Sequence, residues 1–155
     1  VCPMKDKSFG FWLLQGTGWS LFIYLVYAQA IPAFDYQLGV AMGTQEPATQ
    51  ITEVGVAFYR GFSIGDLLVY LPLLAIGLIS YWLNKGWGRV VLAAALGITI
   101  YWPAVCLAAI FTARDARGWS LPAEQAYWIV LPIIALWGLW GLWHIACQSK
   151  HPGEH

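Results

Sequence analysis

The sequence predicts an all-α integral membrane protein, a four-transmembrane-helix bundle whose helices are bent by proline. Composition points there first: apolar residues make up 59% of 155 positions, charged residues 10%, and the chain carries ten Trp. No water-soluble domain of this size needs so much apolar surface. The second observation is four apolar runs, at residues 9–31, 62–83, 90–112 and 121–145, each near or above the roughly 20 residues a bilayer-spanning helix requires. The third is their continuity. Backbone groups in hydrocarbon must be satisfied within helices or a closed barrel, these runs do not alternate, and four strands cannot close a barrel. A single membrane domain over residues 1–155 results.

The first run is kept as a helix although Lys5 and Lys7 before it and Ala28-Gln29-Ala30 near its end imitate a secretory signal with an A-x-A cleavage site. Its apolar stretch exceeds the about 7–15 residues of a signal core. Val1 reads as a decoded GTG start, with Met4 as another, and either fits a bacterial gene. On this helix Gln15, Trp19, Phe22, Val26 and Gln29 share a face. Residues 32–59 form the long outer loop, rich in Gly, Thr and Pro, and a structureless connection of that length caps or binds something. In the second helix Tyr59, Ser63, Asp66 and Tyr70 fall at i, i+4, i+7 and i+11, one narrow stripe.

Asn84-Lys85-Gly86-Trp87-Gly88-Arg89 is a tight reversal, which makes the second and third helices antiparallel neighbours. On the third, Thr99, Trp102 and Cys106 share a face. The second outer turn, 113–120, leads into Ser120-Leu121-Pro122-Ala123-Glu124, an N-cap followed by Pro and Glu in the first turn, where the fourth helix begins. Polar stripes on three helices are expensive against lipid, so they should face one another. Pro72, Pro103 and Pro132 each free a carbonyl inside a span, and three bends together favour a cavity. In Trp137-Gly138-Leu139-Trp140-Gly141-Leu142-Trp143 the glycines permit close helix approach and the outermost rings fit an interfacial belt.

Net charge is zero and basic clusters do not exceed two residues, which removes nucleic acid as a partner. Cys2, Cys106 and Cys147 lack metal-ligand spacing and read as small apolar residues rather than a disulfide framework. With both termini inside, Lys5, Lys7, Lys85, Arg89 and Lys150 lie on the inner side against Arg60, Arg114 and Arg117 outside. A bacterial inner membrane with cytoplasmic termini is expected, an endoplasmic reticulum membrane being the alternative. His144 reads as an interfacial residue rather than a haem ligand, and neither a metal site nor a cofactor is expected.

Asp66 stands out, because a carboxylate deep in a span costs about 3 kcal/mol by insertion scales and is normally neutralised, paired or turned to a polar cavity. Phe58-Tyr59-Arg60-Gly61-Phe62 leading to Asp66, then Asp66-Leu67-Leu68-Val69-Tyr70-Leu71-Pro72, resembles the second-helix signature of the EXPERA family, particularly its sigma-2 receptor branch. Ala33-Phe34-Asp35-Tyr36-Gln37 is similar to that branch's acidic exit from the first span. Pro103 and Pro132 fall where its third and fourth helices carry Pro.

The resemblance implies a lipid-open hydrophobic cavity that accepts sterols or amphipathic amines, with Asp35 pairing a ligand amine and Asp66 its membrane-buried partner. Two nearby carboxylates do not both ionise cheaply, so Asp66 should hold a proton while Asp35 stays charged. Gln29, Tyr59, Tyr70 and Trp102 are the expected cavity walls. The family's sterol isomerases need a proton donor and a base on opposite parts of the substrate. This sequence departs from them, having no His in the second helix and no acid in the third, so Asp66 alone remains as a catalytic candidate. Binding of a sterol-like or amine-bearing lipid is the expectation. The alternatives are a structural or accessory subunit of a larger membrane complex, and, further off, an isomerase or a proton-coupled transporter; membrane lipids, a homodimer or a larger assembly are the partners considered.

Overall fold

A computed structural model describes residues 8–149 as a run of helices without strands. Four long helices, α1 (Phe9–Phe34), α3 (Ala48–Trp82), α4 (Gly86–Ala113) and α5 (Glu124–Ser149), are joined by short connections and one small helix, α2 (Tyr36–Ala41). All four are long and apolar enough to cross a membrane. At 35 residues α3 runs to about 52 Å, well beyond a hydrocarbon core of about 30 Å, so part of it stands clear of the apolar layer.

Local chemistry accounts for the ends. Ser8 caps α1, its Oγ accepting from the Phe11 N–H at 3.3 Å. Asp35 is extended and serves two helices, donating its N–H to the Ile31 carbonyl at 2.8 Å and accepting from the Leu38 N–H through Oδ1 at 3.0 Å. Between α3 and α4, Asn84 takes the left-handed conformation (φ 54°), and the Lys85 N–H returns to the Ser80 carbonyl at 2.9 Å. Asparagine rather than glycine therefore makes this reversal. The neighbouring glycine has another use: a Cβ on Gly88 would meet Ser80 backbone atoms at 2.7–2.9 Å, so its absence lets α4 lie directly on α3. Gly77 does the same against Leu92. The antiparallel pairing of these spans follows.

Two departures from the sequence reading concern helix boundaries. Pro32 does not end the first helix. A π-helical turn, Val26–Ala30, widens the backbone just before it, and α-helix resumes at Ile31–Phe34. A second such turn, Asp66–Tyr70, precedes Pro72, with the Leu71 N–H reaching back five residues to the Asp66 carbonyl. Proline clashes with the carbonyl four residues earlier, and one wide turn absorbs the clash without breaking the rod. Second, the expected loop 32–59 is largely helical, its irregular part shrinking to residues around Gly43–Pro47, with Thr52 (φ 65°) kinking the start of α3. The fourth helix begins at Glu124, three residues beyond the expected start at 121, and the Ser120 N–H donates to the Gln50 carbonyl at 2.7 Å instead of opening the helix.

α4 packs along both α3 and α5, and α1 lies against α3. The main core gathers Leu14, Leu74, Leu78, Leu92 and Leu96, all fully buried, with Phe11, Tyr81 and Ile145. A smaller core at the loop end holds Ile51, Ile110 and Leu121. Gly138 and Gly141 face Leu96 and Leu14 at Cβ distances near 3 Å, the close approach their spacing suggests. Trp137 donates to Thr17 at 2.6 Å while Trp143 faces outward. The polar stripes do meet. Gln15 donates to the Leu78 carbonyl at 2.9 Å, Ser63 to Gln29 at 2.8 Å, and Tyr70 shares a 2.6 Å hydrogen bond with Thr99.

Candidate functional site

The site begins with a broken hydrogen bond. Because Pro32 has no N–H, the Ala28 carbonyl, four residues earlier, loses its helical donor in a buried setting, where an unmet carbonyl costs on the order of several kcal/mol. Gln45 supplies the replacement: its Nε2 donates to the Ala28 carbonyl at 3.0 Å across the wide turn. The contact also fixes the amide's orientation, since a carbonyl needs a donor. Gln45 Oε1, on the other side of the amide, is buried and has no hydrogen-bond partner.

Gln45 lines a cavity of about 120 Å³ beside the smaller core, sharing Ile110, Tyr59, Trp119 and Tyr127 with it. α1 contributes Tyr24, Ala28 and Gln29, the connection after α2 contributes Thr44 and Gln45, and α3 contributes Tyr59 and Phe62. α4 adds Trp102, Cys106, Ala109 and Ile110; Trp119 comes from the turn before α5, and Tyr127 and Leu131 from α5 itself. Trp119 Nε1 is a buried donor without a partner. Two of the lining residues, Gln45 and Trp119, thus each carry a buried polar atom without a partner, one an acceptor and one a donor, among a ring of aromatic side chains. A carboxylate stands just behind it, where Glu46 Oε1 accepts from the Tyr127 hydroxyl at 3.0 Å and the Glu46 carbonyl accepts from Tyr36 at 2.8 Å. Buried Tyr36 lies outside the spans, and burial first, then the Glu46 charge, pushes its phenol up to about 12.

Of the expected walls, Gln29, Tyr59 and Trp102 line this one cavity. Tyr70 does not; it is buried in the main core with its hydroxyl on Thr99. Asp35 is exposed and committed to capping α2, with no part in the cavity wall. Asp66 is buried, 6% exposed, yet it lines an outward cleft with Ala57, Phe58, Gly61, Phe62 and Gly65. Its Oδ2 has no hydrogen-bond partner. Phe62 is common to cleft and cavity and forms the wall between them. The two carboxylates singled out in the sequence are thus not brought to one pocket.

No protein-family model, curated protein or solved structure matches the chain. His144 is half-buried, stacked on Trp140 at 5.3 Å and packed against Gly10. Among the described residues no cluster of metal-ligating side chains is present. Cys106 is a half-buried cavity residue and Cys147 an exposed one; both are free thiols, while Cys2, Lys5, Lys7 and Lys150 lie outside the described residues.

The sequence reading missed Gln45, Trp119 and Tyr127. Gln45 and Trp119 sit in connections, where helical periodicity carries no information, and Tyr127 lies in the first turn of α5. A signal for Gln45 did exist: proline at the end of an apolar run leaves a carbonyl that some donor must satisfy.

Proposed function

We propose that this chain is a membrane lipid-binding protein, which takes the polar end of a ring-bearing, sterol-like amphipathic lipid into the cavity between α1, α3, α4 and α5. The observation that supports the reading is that two residues lining it, Gln45 and Trp119, hold a buried acceptor and a buried donor without partners, Oε1 and Nε1, beside Tyr24, Tyr59, Trp102 and Tyr127. A hydroxyl accepts one hydrogen bond and donates another, and it matches that pair where an apolar group leaves both unpaid. The volume of about 120 Å³ is below the about 300–1,000 Å³ of sites that enclose a whole ligand, so the apolar body of the lipid extends into the bilayer.

An amine end is served less well. Asp35 is spent on a helix cap, and Glu46, the acid nearest the cavity, is engaged with Tyr127. The lining offers phenols and a thiol but neither a carboxylate nor an imidazole, which favours binding over a proton-shuttling isomerisation. The EXPERA likeness agrees with this reading in spans and cavity and differs in which residues do the work. In the sequence Lys5, Lys7, Lys85, Arg89 and Lys150 fall on one side and Arg60, Arg114 and Arg117 on the other, and this bias of five against three supports cytoplasmic termini with the capped cavity end outward.

Lipid mass spectrometry on the chain purified in nanodiscs from native membrane tests the proposal. The expected result is one reproducibly retained hydroxyl-bearing polycyclic or polyisoprenoid lipid, lost when Cys106→Phe fills the cavity. Retention of bulk phospholipid alone, equal in both proteins, contradicts it.

A further inference from the structure

Glu46 is held in place from both sides. Pro47 after it disfavours helix at Glu46, Gln45 before it is anchored on the Ala28 carbonyl, and its own carbonyl accepts from the Tyr36 hydroxyl at 2.8 Å. The half-buried side chain then reaches α5, where Oε1 accepts from the Tyr127 hydroxyl at 3.0 Å. A carboxylate oxygen only accepts, so this bond has one direction, and the Tyr127 proton is committed to Glu46 rather than to the cavity that Tyr127 lines. Tyr59, another lining residue, is hydrogen-bonded to Tyr127. With the Tyr127 proton already given to Glu46, it is Tyr59 that donates in this second bond. Each phenol therefore passes its proton toward the carboxylate, and what the pair leaves for a ligand is oxygen lone pairs. Thr44 in the same wall likewise commits its proton, to the Gly39 carbonyl at 3.1 Å. The remaining lining hydroxyl, on Tyr24, belongs to a side chain more than half exposed.

We infer that Glu46 is a positioning residue that sets the polarity of the cavity: by fixing the phenol protons of Tyr127 and Tyr59 it makes the site a receptor for a lipid alcohol and closes it to the ketone of the same skeleton. The inference rests on the lipid-binding reading and adds what enforces the head group and which analogue is refused. A ketone oxygen accepts only. It matches Trp119 Nε1 but stands against Gln45 Oε1 and the lone pairs of the phenols. An alcohol accepts from Trp119 and turns its own proton to one of those oxygens. A carboxylate head fails as the ketone does, and an ammonium, a donor only, leaves Trp119 unmatched. Sites that hydrogen-bond a hydroxyl discriminate strongly against analogues lacking it, because their buried polar groups are then left unpaired.

Displacement of a fluorescent 3-hydroxysterol from the full chain in nanodiscs, read by energy transfer from its Trp residues, tests this. The unlabelled competitors are cholesterol and the corresponding 3-ketone at equal mole fraction. The wild type is expected to prefer the alcohol about tenfold or more. Glu46→Gln keeps the contact but lets the amide turn its donor toward Tyr127, which frees the phenol proton, and the preference should fall to about threefold or less. Tyr127→Phe removes the phenol through which Glu46 acts and should give the same fall. The readout is the ratio of the two affinities, since a variant that merely loosens the fold weakens both competitors together. Equal binding of alcohol and ketone by the wild type overturns the inference while leaving a lipid site in place. So does a preference that survives both substitutions. If neither competitor displaces the probe, or if Cys106→Phe leaves displacement unchanged, the lipid-binding reading fails and this inference falls with it.

Discussion

Replacing Gln45 with Leu removes the donor to the Ala28 carbonyl and is expected to destabilise the fold by about 1–3 kcal/mol, the cost of a buried acceptor left unmet. Pro32→Ala returns an N–H to the helix and should lessen that cost, so the two changes are non-additive in a double-mutant cycle read by unfolding in detergent. Additive effects would show that the amide does not stand in for the missing backbone donor. Tyr36 carries a pH dependence. Its phenol ionises at about 12 in the fold against 10 ordinarily, because burial and then Glu46 oppose the charge. The neutral form is therefore favoured by folding; its contribution is complete below pH 10 and lost as pH climbs through 12. Alkaline unfolding should lose part of its steepness over that window in Tyr36→Phe. At this scale helical spacing put Gln29, Tyr59 and Trp102 on faces that line one cavity, whereas Asp35 shows the limit: an acid just past an apolar run reads equally as a ligand partner and as the helix cap it proves to be.

Among the elements, the wide turns decide most. Both lie directly before a proline, at Val26–Ala30 and Asp66–Tyr70, and they contact each other where α1 meets α3. Proline was legible as a bend, but the sequence alone does not say whether the chain stops, kinks or widens, since that depends on a donor such as Gln45 arriving from elsewhere. The same limit applies to residues 32–59, where glycine and proline spoke for a loop and the chain instead forms helix around a short break. Glycines test the packing of elements. Gly88→Ala places a methyl within 3 Å of Ser80 backbone and should cost stability, while Gly97→Ala enters open space and should gain up to about 1 kcal/mol in thermal unfolding. Equal effects at both positions would contradict the close α3–α4 contact.

For the whole molecule, four apolar spans were legible because a bilayer imposes a length and a continuity that few other solvents do. The outer surface agrees, with Leu68, Ile129, Ile133 and Leu136 more than half exposed. What the sequence could not give is the space left where the bundle meets its cap, because that depends on how the connection after α2 folds over α1, α3 and α4. The account rests on this space being a polar-lined receptor for one end of a lipid. An experimental structure of the full chain in native lipid measures it most directly. The account predicts an elongated, non-protein feature with its tip within hydrogen-bond distance of Gln45 Oε1 and Trp119 Nε1; a collapsed cavity, with those two atoms bonded to other side chains, would contradict it.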